Sequence, residues 1–341
     1  MKVLVTGGGG FLGKALVRKL LDRGWAVNAL NRGDYPELAE WGVETFQGDI
    51  ADYDSVYRAA KGCDVVIHTA ANAGVWGPYE DYLRPNVLGT KNVIDACKQL
   101  EIRKLVYTSS PSVVFAGVDQ EGIDESTPYP KKFLAYYPQT KAAAEQLVMN
   151  ANSERLATVS LRPHLIWGPD DNQLVPRVIE RAKAGKLRVV GSGDQLVDAV
   201  YVDNAVEAHL CAVDRLEPGA ACAGKTYFIT NDEPVGMGDM LNGILDAAKM
   251  GPVEKRVSSG MAVFAGFLME LWYNLLRKKE EPMMTRFVAK QLGTAHWYSQ
   301  DAAKSDLGYY PSTSMVDGFE KLRQSLATTS DLEGEDGNGP T

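Results

Sequence analysis

The chain is expected to fold as an α/β protein, a doubly wound parallel sheet with a smaller C-terminal substrate lobe. Three observations point there. Short apolar runs alternate with amphipathic stretches, a glycine-rich turn separates the first run from the first such stretch, and Tyr137 and Lys141 stand four apart beyond a fifth run.

The runs 2–6, 25–30, 43–47, 65–69, 105–108 and 158–161 read as strands, and 12–21 and 87–100 are among the amphipathic helices between them. Open sheets of this kind bind ligands beyond the carboxyl ends of their strands. Gly7, Asp49, Ala70 and Ser110 fall at those ends.

Gly7, Gly10 and Gly13 form a GxxGxxG turn that leads into a helix through Phe11 and Leu12. Glycine lets the backbone approach a pyrophosphate, and a helix N-terminus offers it unpaired amides. About 20 residues on, an NAD-preferring enzyme places a carboxylate against the adenosine ribose, whereas an arginine accommodates a 2'-phosphate. Here the second strand ends in Asn31-Arg32, which favours NADP (NADPH) over NAD. If Arg32 is only a turn residue, Asp34 takes the ribose. Asp49 and Ile50 are placed at the adenine edge, with a helix cap before Tyr53 as the competing role for Asp49.

A tyrosine phenol with an ordinary pKa of about 10 is a poor acid or base near neutrality. On a helix, Lys141 lies one turn beyond Tyr137, so its ammonium is expected to lower that pKa. Ser110 closes the run Tyr107-Thr-Ser-Ser110 just upstream, with Thr108 and Ser109 as alternatives for its role. Together these residues describe a hydride-transfer site with Tyr137, Lys141 and Ser110 as its catalytic group. No metal site is indicated.

Composition narrows the function. With 341 residues and 45% hydrophobic content the chain can bury a full core. A net charge of -8 and a pI near 5.2 argue against nucleic acid as the partner. Cys63, Cys97, Cys211 and Cys222 are scattered without CxxC spacing, and Met1 already opens a strand, so a cytoplasmic location is expected, peripheral to the inner membrane if residues 261–276 contact lipid. Residues 1–165 are assigned to the cofactor domain, 166–325 mainly to the substrate lobe with some return to the core, and 326–341 to a disordered acidic tail.

Val5-Thr-Gly-x-x-Gly-Phe-Leu-Gly13, Asp49-Ile50, His68-Thr-Ala-Ala71, Asn86-Val-Leu-Gly-Thr90, Tyr107-Thr-Ser-Ser110, Tyr137-x-x-x-Lys141 and the Leu161-Arg-Pro segment resemble the extended short-chain dehydrogenases/reductases, over roughly residues 1–325. Within them the chain is similar to the 3β-hydroxysteroid dehydrogenase-like branch. Arg32-Gly-Asp-Tyr-Pro, Ala73-Gly-Val-Trp-Gly77, Ser109-Ser-Pro-Ser-Val-Val-Phe115 and Arg162-Pro-His-Leu-Ile-Trp-Gly-Pro169 narrow the similarity to the 2-alkyl-3-oxoalkanoate reductases of bacterial olefin biosynthesis.

That resemblance implies a Rossmann fold and NADPH-linked, reversible reduction of a long-chain β-keto acid to its 3-hydroxy acid. Tyr137 would protonate the ketone oxygen, Lys141 would also bind the nicotinamide ribose, and Ser110 would hydrogen-bond the same oxygen. Ala70, Ala71 and Pro163 would line the cofactor, and Asn86 would hold a carbonyl or water near Lys141, or cap its helix. The resemblance also implies pathway-enzyme partners, β-lactone-forming and decarboxylating, and a homodimer paired through the Tyr137 helix.

The substrate side is expected from Trp76, Tyr79 and Tyr82 as an apolar wall, His164 near the nicotinamide or a substrate carboxylate, and Arg177 as a carboxylate partner. The apolar run 261–276 is too short at about 1.5 Å per residue to cross a bilayer of roughly 30 Å. It is expected to be a lid over long alkyl chains, an interfacial membrane helix, a contact for partner enzymes, or a buried helix of the lobe. Competing activities are a 3β-hydroxysteroid or sterol dehydrogenase, a nucleotide-sugar epimerase, and a non-catalytic redox sensor.

Overall fold

The computed structural model describes residues 1–278 and 280–335. Seven strands form one parallel sheet: β1 (Lys2–Thr6), β2 (Ala26–Asn31), β3 (Glu44–Gln47), β4 (Val65–His68), β5 (Lys104–Thr108), β6 (Ala157–Pro163) and β7 (Lys225–Ile229). Their order is β7-β6-β5-β4-β1-β2-β3. The order reverses between β1 and β4, and the crevice there opens at the carboxyl ends of both strands.

Alternation along each strand sends side chains to opposite faces. Val3 and Val5 of β1 pack under α1 (Phe11–Asp22), whereas Leu4 belongs to the opposite face with α2 (Tyr53–Ala60), α3 (Thr90–Gln99) and α4 (Tyr136–Asn150). Every residue of β6 is buried, as a central parallel strand requires.

β7 returns from the C-terminal half to extend the sheet beside β6, with Tyr227 paired to Leu161. That half also contributes α5 (Leu174–Lys183), α6 (Val202–Arg215), α7 (Met237–Ala247), α8 (Ser259–Leu275) and α9 (Arg286–Gly293). α6 packs on the α1 face of the sheet, so the cofactor half and the C-terminal half share one core.

A last helix, α10, spans Met315–Glu335. Residues 326–335, expected as disordered tail, are therefore helical, and the remainder of that tail lies outside the described residues. Phe319 packs on Trp167 with the rings tilted and their centroids 4.6 Å apart, and buried Leu322 and half-buried Leu326 pack with the α7 cluster. Once those contacts fix a helix, each further residue adds a hydrogen bond at little cost, which composition alone does not reveal.

Candidate active site

Gly7 leaves β1 with φ +73°, its amide donating to the Leu30 carbonyl, and Gly10 stands at the N-terminus of α1 without a side-chain cap. A Cβ on Gly13 would sit 2.0 Å from the Gly7 carbonyl oxygen, so helix and strand approach closely only with glycine there. No acidic residue lies in the first turn of α1. Such an uncapped, carboxylate-free helix end against a glycine turn fits a dinucleotide pyrophosphate.

Asn31 has a role the sequence did not show. Its Oδ1 accepts from the Gly9 amide at 2.8 Å and so fixes the glycine turn. Arg32, one residue on, is exposed and lines the same crevice, and among the described residues no carboxylate forms a salt bridge with it. Asp49 Oδ1 accepts from the Ala51 amide, and it is Asp52, not Asp49, that caps α2. Asp49 and Ile50 line the crevice, as do Phe11, Leu12, Ala70, Ala71 and Pro163.

The catalytic group is assembled by two neighbouring elements. Tyr137 and Lys141 occupy the first turns of α4, and Ser110 follows β5. Lys141 Nζ donates to the Thr108 carbonyl at 2.6 Å and lies 4.2 Å from the centre of the Tyr107 ring. Burial lowers the Lys141 pKa to about 7, opposed by the carboxylate of Glu145 one turn further along.

Tyr137 departs from expectation. Burial raises its pKa, and the neighbouring Ser110 hydroxyl, rather than Lys141, is what opposes the rise. The Lys141 ammonium is engaged by the Thr108 carbonyl, and burial holds Tyr137 as a neutral phenol.

The choice among Thr108, Ser109 and Ser110 follows from their partners. Thr108 Oγ1 bonds His209 Nε2 at 2.8 Å, and Ser109 Oγ is buried without a hydrogen bond. Ser110 Oγ accepts from the Ser112 amide at 3.2 Å and from the Ser112 hydroxyl at 2.9 Å. Two donors on that oxygen leave the Ser110 proton free for the phenol or a ketone oxygen. Ser112 is a site residue that the sequence reading missed, although it stands within the quoted Ser109–Phe115 motif.

Asn86 brackets Asn72, accepting from its amide at 2.8 Å and donating to its carbonyl at 3.1 Å, and also donates to Thr140 on α4. It fixes the catalytic helix against the loop after β4.

The crevice and its extension into the C-terminal half form one cavity of about 1060 Å³. His164 and Arg177 line it, but Arg177 is paired with Glu281 through two hydrogen bonds of 3.1 and 3.2 Å. Trp76 and Tyr79 are not in its wall. Trp76 donates to the Lys278 carbonyl and meets Tyr273 edge-on, and Tyr79 packs against Tyr136. Aromatic partners on α8 and α4 draw both rings away, leaving Ala73 and Val75 of that loop against the cavity.

α8 has two apolar sides. Met261, Ala262, Ala265 and Met269 line the cavity, Met261 being also 65% exposed, and Phe264, Leu271, Trp272 and Leu275 are each more than half exposed. Gly266 seats it against α9, where a Cβ would meet the Thr285 backbone at 2.7 Å. No helix among the described residues is long and apolar enough to cross a membrane.

Residues 4–255 match the 3-beta hydroxysteroid dehydrogenase/isomerase family. The chain is 51% identical to a 2-alkyl-3-oxoalkanoate reductase of Shewanella oneidensis, covering 94% of this chain and 85% of that protein. It is 37% identical to a decarboxylating sterol-4-alpha-carboxylate 3-dehydrogenase of Mus musculus, covering 95% and 91%. Among solved structures it resembles a Thermus thermophilus UDP-glucose 4-epimerase in complex with NAD, at 26% identity, TM-score 0.74, and 96% and 99% coverage. The protein thus belongs to the 3-beta hydroxysteroid dehydrogenase/isomerase family, and is an NAD(P)-dependent oxidoreductase of the extended short-chain dehydrogenase/reductase type.

Proposed function

We propose that this protein reduces long-chain 2-alkyl-3-oxoalkanoates to 2-alkyl-3-hydroxyalkanoates with NADPH, as in olefin hydrocarbon biosynthesis. The observation that carries this reading is the continuity of the Tyr137 site with an apolar chamber walled by Met261, Ala265, Met269, Met284 and Phe287. Two alkyl chains leave C2 and C3 of such a substrate, and a wall of methionines adapts to chains of varied shape. The 51% identity to a reductase of that name supports the same substrate class.

Bound NADPH supplies the hydride. The protein's part is electrostatic and positional. Ser110 donates to the ketone oxygen as negative charge develops there, and Tyr137, a neutral phenol, gives that oxygen its proton. Lys141, when charged, offsets the phenolate left behind. Arg32 at the tip of β2, without a salt bridge among the described residues, and Asn31 engaged by the glycine turn, favour the 2'-phosphate of NADPH.

In this reading α8 is the lid over the alkyl chains, and its outward apolar face, followed by Arg277 and Lys278, suits an anionic lipid surface. Oxidation of NADPH by a freshly made 2-alkyl-3-oxo acid, with a 3-ketosteroid in parallel, tests the assignment. Preference for the steroid would overturn it.

A further inference from the structure

One end of the cavity is polar in a way the reduction chemistry does not use. His164 Nδ1 faces the Asp198 carbonyl at 2.9 Å, so that nitrogen carries the proton and Nε2 is a bare lone pair. Nε2 has no hydrogen-bond partner among the described residues. His296 is arranged the same way by a different route. Thr294 Oγ1 donates to the Lys290 carbonyl and must therefore accept from His296 Nε2 at 2.8 Å, which leaves His296 Nδ1 bare. That nitrogen is buried without a partner.

The two imidazoles meet edge to face, with centroids 5.6 Å apart, and both line the cavity. Tyr298 stands 5.3 Å from the His164 ring, also lines the cavity, and has a hydroxyl without a hydrogen-bond partner among the described residues. The cluster therefore presents two lone pairs and one hydroxyl proton. A partnerless lone pair in a buried position is costly, and two together call for a ligand that brings a proton.

The cluster lies beside the reaction centre. His164 follows Pro163 at the end of β6, whose neighbour β5 leads into Ser110. Phe115, at the end of the short turn that begins after Ser110, packs edge-on against His296 at 5.2 Å.

Accepting the substrate class proposed above, we infer that His164, His296 and Tyr298 form the site for the substrate's carboxyl group, bound together with one proton. A carboxyl with one proton answers one of the two lone pairs and the hydroxyl: its O–H meets an imidazole lone pair and its other oxygen accepts from the Tyr298 hydroxyl. In a 3-oxo acid the carboxyl carbon is two bonds from the ketone carbon, which suits a cluster next to Ser110. The site also has a chemical consequence. A β-keto acid loses carbon dioxide by passing its carboxyl proton to its own ketone oxygen, and a proton directed at an imidazole is withheld from that path.

The test compares the wild-type enzyme, His296→Phe and Tyr298→Phe on two substrates: a 2-alkyl-3-oxo acid and the plain ketone left by its decarboxylation. For the wild type, kcat/KM is expected to favour the acid by at least about tenfold, since an unmet buried polar group disfavours the truncated ligand. His296→Phe keeps the aromatic packing on Phe115 and is expected to lower that preference by about tenfold or more, with Tyr298→Phe lowering it less. Equal preference in the wild type, or a preference unchanged in both variants, would overturn the carboxyl site while leaving the reductase reading intact. Failure of the wild type to reduce either compound would overturn both.

Discussion

Lys141 reaches across from the catalytic helix to the main-chain carbonyl of Thr108, 2.6 Å away, and does so in a buried setting that lowers its pKa to about 7. The ammonium is charged below that value and neutral above it. Ketone reduction requires both the Tyr137 proton and the Lys141 charge, so both are in place at low pH. kcat/KM for the ketone is expected to fall as pH rises through the Lys141 pKa of about 7. Lys141→Arg, charged throughout, should lose activity overall yet shift the falling limb to higher pH. A limb that stays in place would remove Lys141 from this role.

The same shift bears on stability. The folded pKa of Lys141 lies below the 10.5 of the free side chain, so the unfolded chain binds more protons between those values. This group's contribution therefore makes the protein more stable as pH rises from about 7 towards 10.5.

Glu145 and Arg162 form a buried ion pair at 2.7 Å, with side chains 0% and 3% exposed. Glu145→Gln leaves the guanidinium uncompensated and should destabilise the protein by about 3–5 kcal/mol. Because Glu145 raises the Lys141 pKa, the same variant should move the falling limb to lower pH. Adding Arg162→Met should recover much of the stability without restoring the limb. Chemical denaturation and a pH profile read the two effects separately.

Arg32→Ala should raise KM for NADPH roughly 10- to 100-fold, the scale of one charge-assisted hydrogen bond, while changing NADH little. Equal effects on the two cofactors would place the 2'-phosphate elsewhere.

The outward face of α8 predicts flotation of the protein with vesicles containing phosphatidylglycerol, weakened by high salt and by Leu271→Glu with Leu275→Glu. Both residues are more than half exposed, so the changes leave the core intact. Flotation unaffected by the substitutions would show that α8 is not the contact.

The cofactor side of this protein was legible in sequence because its signals are local. The glycine turn, Asp49-Ile50 and the Tyr137–Lys141 spacing each sit within one turn of backbone, and the first six strands follow from short apolar runs. What is assembled from afar was not legible. His296 comes to His164 across 132 residues, through the parallel pairing of residue 297 with residue 121 and the contact with Phe115. β7 runs from exposed Lys225 into three consecutive buried residues, with no alternation to mark it as a strand. Trp76 and Tyr79 show the opposite error. Their position after β4 suggested a substrate wall, but whether an aromatic faces a cavity or a helix is decided by Tyr273 and Tyr136, which no local pattern reports. Arg177 was likewise a plausible free cation until Glu281 was placed beside it.

The most direct test of the central claim is NADPH oxidation by a fresh long-chain 2-alkyl-3-oxo acid, with Tyr137→Phe measured alongside for turnover and for NADPH binding. Turnover by the wild type, its loss by at least about a hundredfold in the variant, and unchanged NADPH binding are the predicted result. Turnover that survives in Tyr137→Phe, or none in the wild type while a 3-ketosteroid is reduced, would contradict it.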